Sequence, residues 1–283
     1  MSEARYRCQD SKSANAIHRG GDDITKQRQV DLKEVLRDAA KKRGAVAFGV
    51  ASVDDVDALP PVKIRWPVDR WTKKLRDSMP EAQRVIVFGI LSTDDVDEIE
   101  VHRASGVINY PGFLPISIIM RDLIRQLRDQ GWRACAPSVY SSHKRAAQLA
   151  GIGRYGKSSL IIHPKYGPWL RFGAVLTDAP LQVDDPFEED LCGRCERCVG
   201  ACPTGALEPY IVSPDRCLVG VTTAKYVPTD IKPLLSKYSA QLTHQSRVMC
   251  TQCQLACRYT TAERRRNVIP SARPTRSAKR RKK

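Results

Sequence analysis

Cys192, Cys195, Cys198 and Cys202, with Pro203 behind the last, spell C-x-x-C-x-x-C-x-x-x-C-P. Three thiols at intervals of three can wrap three irons of a cubane from one tight loop, and the fourth points away. This is the run that bacterial ferredoxins use for [4Fe–4S] clusters, and in two-cluster proteins the fourth thiolate serves the other cluster. Zinc ribbons instead use two spaced C-x-x-C pairs. Downstream stand Cys250, Cys253 and Cys257 as C-x-x-C-x-x-x-C, with Cys217 alone between the runs. Together they make eight thiolates, enough for two cubanes. The crossing rule groups Cys192, Cys195, Cys198 and Cys257 around one cluster and Cys202, Cys217, Cys250 and Cys253 around the other. The two remaining cysteines, Cys8 and Cys135, are expected to be bystanders.

A second stretch satisfies two phosphate-binding patterns at once. GIGRYGKS (151–158) reads as G-x-x-x-x-G-K-[ST] through Gly151, Gly156, Lys157 and Ser158, and as G-x-G-x-x-G through Gly151, Gly153 and Gly156. Either pattern needs a buried strand before it and a helix after it, so that backbone N–H groups and the helix dipole meet the phosphate. The context is reversed here. HKRAAQLA ahead of Gly151 is helix-forming, and SSLIIH behind Lys157 is β-prone. A nucleotide site is therefore not expected, and a glycine-permitted tight connection between helix and strand is the simplest alternative.

The elements that must carry these residues follow from periodicity. Residues 1–30 are polar and aperiodic and are expected to be disordered. A helix should begin with Asp31 as its N-cap and stop at Gly44. AVAFGVA (45–51), RVIVFGIL (84–91) and LRFGAVLT (170–177) read as buried strands, and so do WRACAPSV and SLIIH. Helices are expected around WTKKLRDSM, over 115–130, and at SSHKRAAQLA. This alternation predicts an α/β layered domain over 31–185, a cysteine-rich module over 186–260 and a basic disordered tail over 261–283.

The chain has 283 residues and a net charge of +16, and ten of those net charges fall in residues 258–283. Such a tail is usually a solvated extension, and it is also suited to polyanions such as RNA. The longest apolar runs are too short for a membrane span, and the N-terminus shows no export signal, so the protein is expected to be cytoplasmic with no membrane partner. A chain without a leader keeps its thiols reduced, which favours metal binding over disulfides.

With YGPWLRFGAVLTDAPL and CGRCERCVGACPTGAL following the glycine loop, the sequence resembles the epoxyqueuosine reductase family, iron–sulfur and cobalamin enzymes related to reductive dehalogenases. The likeness covers about residues 31–258. It implies an α/β (α+β) nitroreductase-like domain that binds cobalamin, followed by a ferredoxin-like double [4Fe–4S] module. It further implies a reductase of the tRNA queuosine pathway, fed by a small ferredoxin- or flavodoxin-type carrier, with tRNA held by the basic surface and tail. Cofactor-binding residues implied are His143, Gly151, Gly153, Gly156, Lys157 and Ser158, the glycines letting the backbone approach a bulky corrinoid. Two departures stand out. The family's proton-donating Asp falls at Pro137, and no Asp or Glu occurs from Gly131 to Lys165; Arg258 replaces the proline after the last cysteine. Tyr140 and His143 are then the candidate proton donors. A related corrinoid reductase acting on a small molecule, and a non-enzymatic two-cluster electron-transfer protein, are the alternative readings.

Overall fold

The computed structural model describes residues 22–64, 70–221 and 227–267. In chain order the elements are α1 (Asp22–Lys42), β1 (Ala45–Ser52), α2 (Val53–Ala58), β2 (Lys63–Ile64), β3 (Arg70–Trp71), β4 (Arg84–Leu91), β5 (Ile99–His102), β6 (Ile108–Asn109), α3 (Leu114–Asp129), β7 (Ala134–Cys135), α4 (His143–Leu149), β8 (Arg154–Tyr155), β9 (Ile161–Ile162) and β10 (Leu170–Thr177). The cysteine-rich part adds α5 (Arg197–Ala201), β11 (Leu207–Glu208), β12 (Ile211–Val212), α6 (Leu218–Val221), α7 (Lys232–Tyr238), β13 (Gln241–Thr243), β14 (Ser246–Val248), α8 (Gln252–Leu255) and α9 (Ala262–Arg266).

The mixed α/β part is built on a four-stranded sheet of order β1-β4-β10-β7, antiparallel at every pairing. Alternation along β4 explains why RVIVFGIL is continuously apolar. Ile86, Phe88 and Ile90 pack with α1 and α3 through Leu36, Ile119, Leu123 and Leu127. Val85 and Val87 face the opposite layer, where α2 and α4 contribute Val53, Val56, Ala146 and Ala147. A strand covered on both faces carries no polar face, and each fully buried side chain of this size contributes about 1.5–3 kcal/mol. Gly131, at φ +85°, closes α3 as the left-handed residue after the helix.

Several expectations shift. α1 begins at Asp22, nine residues upstream of the proposed cap at Asp31, and no glycine or proline interrupts the sequence between 22 and 43. WTKKLRDSM is not a helix. After Trp71 it runs through turns, because the N–H groups of Leu75 and Arg76 donate to the Asp57 carboxylate at 2.7 and 3.1 Å rather than to a helical ladder. WRACAPSV pairs only through Ala134 and Cys135. SLIIH contributes only Ile161 and Ile162, in a hairpin with Arg154 and Tyr155.

A second sheet crosses the division at 185, and a helix follows residue 260. That sheet is four-stranded, of order β13-β14-β5-β6, and joins strands from both regions. β14 of the cysteine-rich part pairs with β5 of the α/β part, Val248 opposite Ile99 and Arg247 opposite Glu100. Residues 262–266, placed in the disordered tail by composition, form α9. Thr261 caps it by accepting from the Arg264 N–H, and Arg264 is buried. Residues 1–21 and 268–283, with Cys8 and most of the basic tail, lie outside the described residues.

Candidate iron–sulfur and redox site

Two of the eight thiols sit in short helices and the rest in the connections around them. Cys198 sits in α5 and Cys253 in α8, and these two helices pack against each other. The thiols separate into two groups. Cys192, Cys195, Cys198 and Cys257 line one cavity, together with Ser158 and Arg258. Cys202, Cys217, Cys250 and Cys253 form the other group, in which Cys217, Cys250 and Cys253 each feel the charge of other members. Among the described residues no three His, Cys, Asp or Glu groups converge as the ligands of a single ion do. The first four thiols surround a space instead.

The two groups differ in depth. Burial pushes the Cys198 and Cys257 thiols up, opposed by backbone N–H donors. In the second group burial pushes Cys250 up to about 12 and Cys253 well above the ordinary thiol range, and Cys217 is raised for the same reason. The second group is therefore the inner one. Backbone donors already point at sulfur there, as the Ala206 N–H does to Cys202 Sγ at 3.2 Å.

GIGRYGKS finds its role at the junction. A Cβ on Gly153 would lie 2.4 Å from the Ile162 carbonyl oxygen, and one on Gly151 would lie 2.7 Å from that of Asp185. On Gly156 it would meet Ile162 Cγ1 at 2.5 Å and Cys192 Sγ at 3.3 Å. The chain's own packing is thus sufficient to require glycine at these three positions. Lys157 Nζ lies 3.2 Å from Glu196 Oε1, and Ser158 lines the first thiol cavity. The loop thus docks the α/β part onto the outer cysteine group.

The candidate proton donors sit just ahead of that hairpin. Tyr140 is half-buried in the turn before α4. His143 opens α4, which Ser142 caps by accepting from the Arg145 N–H. Burial pushes the His143 imidazole down to about 4. It is neutral near neutral pH, which corrects its candidacy as an imidazolium acid. Its Nε2, like Ser141 Oγ beside it, is sealed from solvent without a hydrogen-bond partner among the described residues. Cys135 is buried in β7 and is disulfide-bonded, which corrects the expectation of a reduced bystander thiol.

The sequence reading missed a third cluster, of buried acids around β5. Glu98, just ahead of β5, and Glu100, within it, are buried, and periodicity did not single this strand out. Their signal was available in the alternation of IEVH at 99–102, but a buried acid is indistinguishable from a surface acid until its partners are known.

A family model described as a 4Fe-4S binding domain matches residues 186–208. An epoxyqueuosine reductase of Synechococcus is 39% identical over 143 residues, covering 49% of this chain and 42% of that protein. The chain resembles the epoxyqueuosine reductases. It spans less than half the length of the curated relatives it matches. An epoxyqueuosine reductase crystal structure with an epoxyqueuosine-modified tRNA-Tyr stem loop superposes at a TM-score of 0.59, with 20% identity over 87% of this chain and 69% of that one. A catabolic reductive dehalogenase superposes at 0.53, with 16% identity over 86% of this chain and 37% of that one. The mixed α/β fold is therefore shared with both kinds of enzyme. No described helix is long and apolar enough to cross a membrane.

Proposed function

We propose that this chain is an iron–sulfur oxidoreductase of the epoxyqueuosine reductase type. Two [4Fe–4S] clusters pass electrons from a small ferredoxin- or flavodoxin-type carrier to a corrinoid in a nitroreductase-like α/β domain, and the substrate is a nucleoside of tRNA in the cytoplasm. The observation that carries this reading is the sorting of eight thiols into an outer and an inner group of four. Four thiols around a space suit a polynuclear cluster. An outer group beside an inner one suits a ferredoxin-like wire that admits electrons at the surface and delivers them inward.

The residues for a corrinoid are fewer. Ser141 Oγ and His143 Nε2 are buried polar atoms that still lack partners, at the mouth of α4. Both are suited to a polar contact on the periphery of a large cofactor. A bound cobalamin would supply a strongly reducing cobalt centre. His143 would meet it as a neutral imidazole, offering one hydrogen bond at Nε2. Lys157 and Ser158 would act at the outer cluster. The net charge of +16 suits a tRNA partner through phosphate neutralisation.

A second reading keeps the corrinoid and changes the substrate to a small molecule. The acid-free stretch from Gly131 to Lys165 favours it, because the family's acid is not where the resemblance places it. Anaerobic reconstitution with iron, sulfide and cobalamin, followed by binding of an epoxyqueuosine-modified stem loop, decides between them. Corrinoid uptake with salt-dependent binding of the stem loop supports the tRNA reading. Corrinoid uptake without RNA binding supports the small-molecule reading, and cluster loading without corrinoid leaves an electron-transfer protein.

A further inference from the structure

Glu100 is 0% exposed, and neither carboxylate oxygen has a hydrogen-bond partner among the described residues. Its neighbour just ahead of the strand shows how unusual this is. Glu98, 1% exposed, is fully engaged: the Arg171 guanidinium pairs with it and the Ser92 hydroxyl donates to it. A buried carboxylate left open in this way is costly unless it can take up a proton or a donor.

Among the described residues, charged and titratable groups approach Glu100 from its own strand and from its neighbours. From its own strand, His102 Nε2 approaches Oε1 at 3.1 Å, too poorly aligned for a hydrogen bond, and Glu98 lies two residues back. From β14, directly opposite in register, Arg247 Nε stands 3.9 Å from Oε1. Tyr110, just past β6, has its hydroxyl pushed up to about 12, first by burial and then by the charge of Glu100. Arg171 of β10 reaches this face through Glu98. His102 is 29% exposed and links Glu100 to solvent through its imidazole ring.

The same strand reaches the inner cysteines. The Met249 N–H donates to the Glu98 carbonyl at 2.9 Å, and Met249 precedes Cys250. Glu100 is paired with Arg247, three residues before Cys250, so the two stand roughly 10 Å apart along the strand at its usual rise. An extra electron on a cluster held by Cys250 is therefore felt at Glu100 through low-dielectric protein.

We propose that Glu100 is a proton-loading site coupled to the inner cluster, with His102 as its route from solvent and Tyr110 beside it. This rests on the two-cluster reading above. One electron from a one-electron carrier protein makes the inner cluster one unit more negative. One proton from water passes by way of His102 to Glu100 and neutralises its carboxylate. No bond to iron forms or breaks, and the charge of the buried region is conserved. A site loaded in this way stores a proton beside a low-potential electron in a chain whose 131–165 stretch contains no acid.

The test is an electrochemical titration of the reconstituted holoprotein, from mildly acidic to mildly alkaline pH, with iron and sulfide quantified on the same samples. One of two reduction steps is expected to move to more negative potential as pH rises. Glu100→Gln should make that step independent of pH and leave the other unchanged. His102→Gln should keep the equilibrium pH dependence and slow the approach to it. Two steps that are both independent of pH in the wild type overturn the proposal. Iron near four per chain instead of about eight would reject the two-cluster reading itself, separately from Glu100. Should Glu100→Gln fail to load iron, redox-difference infrared spectra of the wild type decide. Reduction should produce a protonated-carboxyl band that shifts in D2O, and its absence overturns the proposal.

Discussion

Arg264 Nη2 lies 2.9 Å from Asp95 Oδ1 with the two side chains 3% and 4% exposed, and its guanidinium stacks over the Trp169 ring at 4.0 Å from the centroid. Trp169 in turn donates from Nε1 to Thr260 Oγ1 at 3.0 Å. The end of the cysteine-rich part is thus locked to the loop after β4 by one buried cation that serves an acid and an aromatic face.

Breaking that pair should be costly, because removing one partner strands the other charge in the interior. Arg264→Ala and Asp95→Asn are each expected to destabilise the protein by about 3–5 kcal/mol. The double variant should lose less than the sum of the two. Thermal or urea unfolding of the apoprotein measures all three. Additive losses would mean that the pair is not coupled. Truncation immediately before Arg264 should be as harmful as Arg264→Ala.

Cys217→Ser should remove the inner cluster and spare the outer one. Iron per chain is expected to fall to about half of the wild-type value, and one reduction step should vanish. Full iron content with both steps retained would show that Cys217 is not a ligand.

Cluster loading should depend on pH, and the sign follows from the thiols. Burial raises Cys217, Cys250 and Cys253 above their ordinary value in the metal-free chain, so these thiols are protonated at neutral pH and must release protons to bind iron. Iron retention against a chelator should therefore weaken as pH falls, and the inner group should empty first. Retention that is flat with pH would contradict this ordering.

Gly153→Ala should disturb the β8–β9 hairpin, because the new Cβ meets a backbone carbonyl that cannot step aside. A loss of about 1–3 kcal/mol is expected. Gly156→Val should also lower iron loading at the outer group, since its side chain would crowd Cys192 Sγ. Unchanged stability together with lost corrinoid uptake would instead favour a direct cofactor role for these glycines.

His143 should make the fold sensitive to acid. Its folded value of about 4 lies below the ordinary 6.5, so between those values the unfolded chain binds a proton that the folded chain refuses. Stability contributed by the neutral ring is present above 6.5 and is lost as pH falls toward 4, by roughly 3 kcal/mol at most. His143→Gln should flatten the dependence of the urea midpoint on pH across that window. An unchanged slope would mean that the ring is solvated.

The sequence by itself determined the chemistry of the thiols and the main sheet. Cysteine intervals of three are set by how a short loop closes on a cubane, and β1, β4 and β10 are strands whose apolar runs leave no alternative face. Both signals are local, so both survive without a partner. Tertiary structure alone decided the rest. The glycines of GIGRYGKS match phosphate loops in sequence, and only the carbonyls of Ile162 and Asp185 explain why no side chain fits there. Arg264 reads as one charge in a basic tail until Asp95 and Trp169, remote in sequence, enclose it. Glu100 reads as a surface acid until β14 pairs beside it and leaves its oxygens open. Each of these depends on contacts between distant segments, and spacing along the chain carries no record of them.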